Sequence, residues 1–322
     1  MNLFIKLTAL SVIFLFLGCN DDESEEIVQR EYGVEGNHEI ASFTADDYDY
    51  STIYYPKDIA TMDHKSPLVF FASGWFGSPK RSTTYETLIT FITSHGYTVV
   101  YTDEGSVTDP MHSINGYNNL LEKEYVKDNI LKYVDTDKVG VVGHSAGGGI
   151  IFKILDYYTK EKEYGKNGRF LMGLDPWYAF GMSKAALENL PSNTNLVFIK
   201  FGEGGNNKED GTDPRIPLTE YSLLKSIDAT KKDYQVYDKE NANHDYPTGS
   251  RSYTQMQGIL RPLDALLDYT FVNQSEAIRK IALENGNDDP YADGKGIQVI
   301  LDSYKYPCDG ARTLIDYCAI VP

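Results

Sequence analysis

The residues with the clearest chemical purpose sit at Gly143-x-Ser145-x-Gly147, inside the run Gly143 to Gly149. A serine flanked at two residues' distance by glycines fits a very tight strand-to-helix turn, which pushes the hydroxyl out at a helix N-terminus where negative charge is favoured. Small or apolar residues, Val139 to Val142, run into it and a helical pattern follows, so Ser145 is the expected nucleophile. A serine hydroxyl needs a base. His244 is the one histidine downstream of Ser145, in a loop just after the last β-rich run, and is the expected general base. The acid that orients such an imidazole is sought between them in the chain, after the strand ending at Phe201. Glu203, Asp210 and Asp213 stand there, and Asp213 is preferred because Asp213–Pro217 makes a turn ahead of a helix. Two backbone N–H donors must hold a developing oxyanion. Ala146 supplies the one after the nucleophile and Trp75, following Gly74, the other; the Trp75 indole would also line the acyl pocket.

These residues need a scaffold that brings distant loops to one edge. From about Glu39 the chain alternates short β-rich runs with helical patterns. Strands are predicted at Thr52–Pro56, Pro67–Ala72, Tyr97–Tyr101, Lys138–Val142, Phe170–Leu174, Leu196–Phe201 and Tyr234–Tyr237. Helices are predicted over Tyr85–Ser94, Asn118–Tyr133 and Gly149–Lys160, with a further one after Ser252. Continuous apolar runs alternating with helices imply an α/β protein whose mostly parallel twisted sheet is covered on both faces. With the serine motif, that is the α/β-hydrolase fold. The intervals from Ser145 to Asp213 and on to His244 are too short to hold a cap domain, so the cleft is expected to be open and suited to bulky or polymeric esters.

Thr52–Pro56, Ser73-Gly74-Trp75, Gly143–Gly149, Asp175-Pro176-Trp177 and Asn243-His244 fall in an order and spacing that resembles the bacterial cutinase-like polyesterases. That family is related to the dienelactone hydrolases and includes the poly(ethylene terephthalate) hydrolases. The resemblance spans about Glu39 to Pro262 and implies a serine esterase acting through an acyl-enzyme, with Trp177 as an aromatic wall of the substrate cleft facing Trp75. A late disulfide like Cys308–Cys318 also resembles the family. Ala146 departs from the methionine common after the nucleophile, the segment from Glu203 to Asp213 is longer, and so is the tail. A serine peptidase of the same fold and a non-catalytic surface-binding lipoprotein are the alternatives; the first would turn over peptides, and the second would not react with a fluorophosphonate.

The N-terminus has a separate purpose. Lys6 precedes an apolar run, Leu7 to Leu17, too short to span a membrane and suited to a secretory signal. It ends in Phe16-Leu17-Gly18-Cys19, which resembles the lipobox of bacterial lipoproteins, so Cys19 is the expected lipidation site after removal of residues 1–18. An acidic tether is expected over residues 19–38, and a hydrolase domain over residues 39–322 with a C-terminal extension from about 270. The expected location is an exported lipoprotein of the outer membrane, exposed at the cell surface, with a lipid anchor as its membrane contact. Export to an oxidising compartment favours pairing of the two late cysteines. A net charge of -17 argues against nucleic acid as partner. No cofactor is expected. No metal is expected either: the stretch from Asn287 to Gly294 resembles part of a calcium loop but lacks the ligand at its third position and the terminal Glu.

Overall fold

The computed structural model describes residues 30–45, 51–75, 82–102, 109–201, 215–237 and 242–284. The chain divides into a unit Met1–Glu31 and a body Tyr32–Pro322. Cys19, the signal segment, Glu203, Asp210, Asp213, Cys308 and Cys318 lie outside the described residues.

The body is built on an eight-stranded sheet. Its strands are β1 (Ile40–Thr44), β2 (Thr52–Pro56), β3 (Ser66–Ala72), β4 (Thr98–Thr102), β5 (Val134–His144), β6 (Arg169–Leu174), β7 (Thr194–Phe201) and β8 (Lys232–Tyr237). Their spatial order is β1-β2-β4-β3-β5-β6-β7-β8. β2 runs antiparallel to β1 and β4, while the neighbours from β4 to β8 are all parallel. The apolar runs are strands because both faces are covered. On β3, Leu68, Phe70 and Ala72 join one core while Val69 and Phe71 join the other, as the two-residue repeat of a strand requires. The first core packs α2 (Pro110–Leu121), α3 (Glu124–Asn129) and α4 (Ala146–Lys162) on the sheet, through residues such as Tyr117, Val126, Ile151 and Phe152. The second packs α1 (Glu86–Ser94), α7 (Gln257–Phe271) and α8 (Glu276–Leu283), through residues such as Phe91, Leu263 and Ile278. Two short helices, α5 (Lys184–Glu188) and α6 (Arg215–Leu223), flank β7 in the chain.

Several elements differ from the sequence-based expectation. The helix expected over Asn118–Tyr133 is two helices with a short 3-10 turn, Leu131–Tyr133, after them. α2 starts earlier because Asp109 accepts a hydrogen bond from the Met111 N–H (2.9 Å) and Pro110 occupies the first turn. It stops before Lys123, whose backbone is extended. α4 begins at Ala146 rather than near Gly149, so three glycines of low helix propensity lie inside its first turn. β1 is a short edge strand with mixed exposure and carries no periodic signal of its own. At the start of the body, the Tyr32 hydroxyl donates to Asp268 (2.7 Å) and the Gly33 N–H to Asp264 (3.0 Å), both on buried faces of α7. These residues, inside the span expected as tether, are therefore tied into the body.

Candidate active site

The turn that carries Ser145 is made by close approach. A Cβ on Gly143 would collide with the Gly147 carbonyl, and one on Gly147 with the carbonyls of Ala72 and Ser73 at the end of β3. Glycine at both places lets β5, α4 and the β3 loop converge. Between them Ser145 takes φ 55° and ψ -121°, a strained backbone for a residue with a side chain. Its N–H donates to the Leu174 carbonyl (2.9 Å) and its carbonyl accepts from Gly149 (3.1 Å) and Trp177 (2.9 Å), so the strain is held from both sides. The Ser145 hydroxyl caps no N–H of α4, although it stands at the helix N-terminus. It meets His244 instead, with Oγ 3.0 Å from Nε2.

His244 is presented by a turn after β8 in which the Asn243 side chain accepts from the Asp245 N–H (3.1 Å) and the Asn243 carbonyl from the Tyr246 N–H (2.9 Å). The imidazole is 21% exposed, open enough to meet a substrate. Its other nitrogen, Nδ1, lies 2.5 Å from Oδ2 of Asp175. This carboxylate is not among those expected for the acid. Asp213 lies outside the described residues, and the carboxylate that His244 meets follows β6, not β7. Ser145, Asp175 and His244 follow one another in the expected chain order, with this carboxylate one strand earlier than the expected acid.

Asp175 is placed by the ladder. Beyond the register pair Leu174–Ile199, its N–H donates to the Ile199 carbonyl (2.7 Å) and its backbone turns to φ 46°. That sets its side chain beside Lys200, the next residue of β7, and the Lys200 ammonium donates to Oδ1. Both side chains are 1% exposed. Burial by itself raises the Asp175 carboxyl, but the Lys200 ammonium together with the hydrogen bond and charge of His244 outweighs it and holds the group below the ordinary carboxylate range. The sequence did carry a signal for this: a lysine in the otherwise apolar run Leu196–Phe201 must be buried, and a buried ammonium needs a carboxylate. Asp175, at the end of a neighbouring strand, is that carboxylate.

A second chain of hydrogen bonds, not foreseen from the sequence, ties the loops together. His144, just before Ser145, is buried. Its Nε2 donates to the His244 carbonyl (2.8 Å), so Nδ1 accepts from the Tyr85 hydroxyl (2.9 Å), whose oxygen accepts in turn from the Gly74 N–H (2.7 Å). Burial, with the neighbouring His244 adding to it, pushes His144 down to about 3, so the ring is neutral and keeps this one tautomer. The Gly74 amide is thus committed to Tyr85. Gly74 also packs on Ser145, since a Cβ there would lie 3.2 Å from that of Ser145. The next amide, of Trp75, and that of Ala146 at the start of α4 meet no acceptor among the described residues. The Trp75 ring is 56% exposed. The Trp177 ring is half-buried against Tyr178 and Phe180, and among the described residues no ring contact joins it to Trp75.

The described residues contain no cluster of histidine, cysteine or carboxylate groups that could hold a metal ion. Comparison with protein-family models and with curated proteins gives no match.

Proposed function

We propose that this chain is a serine hydrolase of the α/β-hydrolase fold that cleaves carboxylic esters through an acyl-enzyme. The reading is carried by the continuous contact Ser145 Oγ–His244 Nε2 (3.0 Å) and His244 Nδ1–Asp175 Oδ2 (2.5 Å). The strand order, with an antiparallel second strand and the serine turn at the carboxyl end of the fifth, supports the fold assignment. Ser145 Oγ attacks the ester carbonyl as its proton passes to His244 Nε2. The tetrahedral oxyanion takes hydrogen bonds from the Trp75 and Ala146 amides. Collapse expels the alcohol, which leaves with the proton from His244. Water, deprotonated by His244, then attacks the acyl-enzyme and frees the acid. Asp175 keeps the Nδ1–H tautomer and stabilises the imidazolium.

The substrate class we favour is bulky or polymeric ester, resting on the resemblance to cutinase-like polyesterases and on the exposed Trp75, which follows the Gly74 packed on Ser145. A fluorophosphonate should label Ser145 in the wild type and leave Ser145→Ala unlabelled and inactive on esters. An unlabelled wild type would mark a binding module, and faster turnover of peptides than of esters would mark a peptidase. Lipidation at Cys19 and a Cys308–Cys318 disulfide complete the proposal. No helix among the described residues is long and apolar enough to cross a membrane. Intact-mass analysis of the exported chain tests both: an unmodified N-terminus or two free thiols would remove the respective claim.

A further inference from the structure

Lys200 stands on β7, the strand next to the β8 edge of the sheet, with its ammonium on the Asp175 carboxylate, both side chains almost wholly inaccessible to water. Such a pair contributes little net stability compared with apolar residues of similar size, because two charges must be stripped of water. Its position suggests another use. Asp175 Oδ1 goes to Lys200 and Oδ2 to His244 Nδ1, so each oxygen of one carboxylate has one cationic or donor partner. The groups facing it among the described residues are Lys200 on β7, His244 on the loop after β8 and His144 on β5, the last neutral. Lys200 is the one permanent positive charge among them.

We propose that Lys200 is a positioning residue of the catalytic triad: its ammonium clamps Oδ1, turns Oδ2 onto His244 Nδ1, and supplies the counter-charge that lets this carboxylate work while buried. The proposal rests on the serine-hydrolase reading above. It makes the acid of this triad a two-residue unit, Asp175 with Lys200, drawn from adjacent strands. Without the ammonium, burial acts on Asp175 against His244 alone, and the carboxyl takes up a proton at a higher pH than in the wild type. A neutral acid cannot hold the imidazolium.

The test is the pH dependence of kcat/KM for a soluble nitrophenyl ester in the wild type, Lys200→Met and Lys200→Arg. In Lys200→Met the rising limb should move to higher pH. The loss at pH 7 should fall between about tenfold and the ~10⁴-fold reached when a neutral group replaces the acid of such a triad. The deficit should shrink about tenfold or more by pH 9.5 as Asp175 ionises. Lys200→Arg keeps the charge and should restore the limb to its wild-type position. A uniform loss at every pH would reduce Lys200 to packing and overturn the proposal, as would a Lys200→Arg profile shifted as far as that of Lys200→Met. Should Lys200→Met fail to fold, Lys200→Met/Asp175→Asn should recover a cooperative thermal transition, because the stranded carboxylate is gone; a double variant no more stable than the single one also overturns it. Fluorophosphonate labelling of the wild type separates the two readings. If Ser145 labels while the Lys200→Met profile keeps its shape, only the positioning role falls. If Ser145 does not label, the hydrolase reading falls, and the stability comparison still reports whether Lys200 and Asp175 are coupled.

Discussion

Replacing Asp175 by Asn changes one oxygen for a nitrogen, and the surroundings decide which way the new amide points. Lys200 can only donate, so the remaining oxygen stays on its ammonium and the NH2 group turns to His244 Nδ1. An amide N–H facing Nδ1 makes that nitrogen an acceptor and moves the ring proton to Nε2, the atom 3.0 Å from Ser145 Oγ. An Nε2–H cannot take the serine proton. Ring rotation is no remedy, because a flip about the Cβ–Cγ bond puts ring carbons where the two nitrogens stood. The expected loss in kcat is therefore the full cost of a wrong tautomer, about 10⁴-fold in the trypsin-type case, or roughly 5 kcal/mol of transition-state stabilisation. The variant also takes the Asp175 charge away from the buried Lys200 ammonium, so its stability should fall by up to about 3–5 kcal/mol, the cost of breaking a buried pair. Asp213→Asn should do neither. Steady-state kinetics on a soluble ester, with active sites counted by fluorophosphonate, and urea unfolding of both variants make the comparison. An Asp175→Asn enzyme within tenfold of wild type, beside a crippled Asp213→Asn, would refute the assignment and return the acid to the segment after β7.

Tyr85→Phe removes the acceptor of the Gly74 N–H and the donor to His144 Nδ1 together, leaving two buried polar groups without partners at about 1–3 kcal/mol each. Urea unfolding should show that loss, and kcat should drop as the Trp75 amide loses its neighbouring anchor; an unchanged unfolding midpoint would contradict the relay. His144 makes stability depend on pH. Its folded value of about 3 lies below the ordinary 6.5, so the unfolded chain takes up a proton there that the fold refuses, and stability falls as pH drops from 6.5 towards 3, by up to roughly 5 kcal/mol. Asp175 adds to this at the acid end: its lowered carboxyl contributes stability above the ordinary carboxylate value, lost as pH falls through the folded one. Unfolding free energies measured from pH 7 to 4 should flatten by about one proton's slope in His144→Gln, and an unaltered slope would show that His144 is not held neutral.

Much of this protein was legible along the chain because the signals are local. The runs Pro67–Ala72, Phe170–Leu174 and Leu196–Phe201 are strands because a sheet covered on both faces needs consecutive apolar residues. Ser145 declares itself through Gly143 and Gly147, whose lack of side chains the turn demands, and His244 through being the one histidine beyond it. The acid has no such signature. Any carboxylate can orient an imidazole if it reaches the right atom, and Asp175 does so across 69 residues of chain. Chain order alone led to the segment after β7, whereas the register of Leu174 with Ile199 brings Asp175, at the end of β6, beside Lys200 and the His244 ring. The same holds for the path from Gly74 through Tyr85 and His144 to His244: it joins four elements distant in the chain by single hydrogen bonds. Periodicity and turn chemistry write themselves into neighbouring residues, whereas a hydrogen bond between strands depends on which edges meet, and that is a property of the assembled sheet.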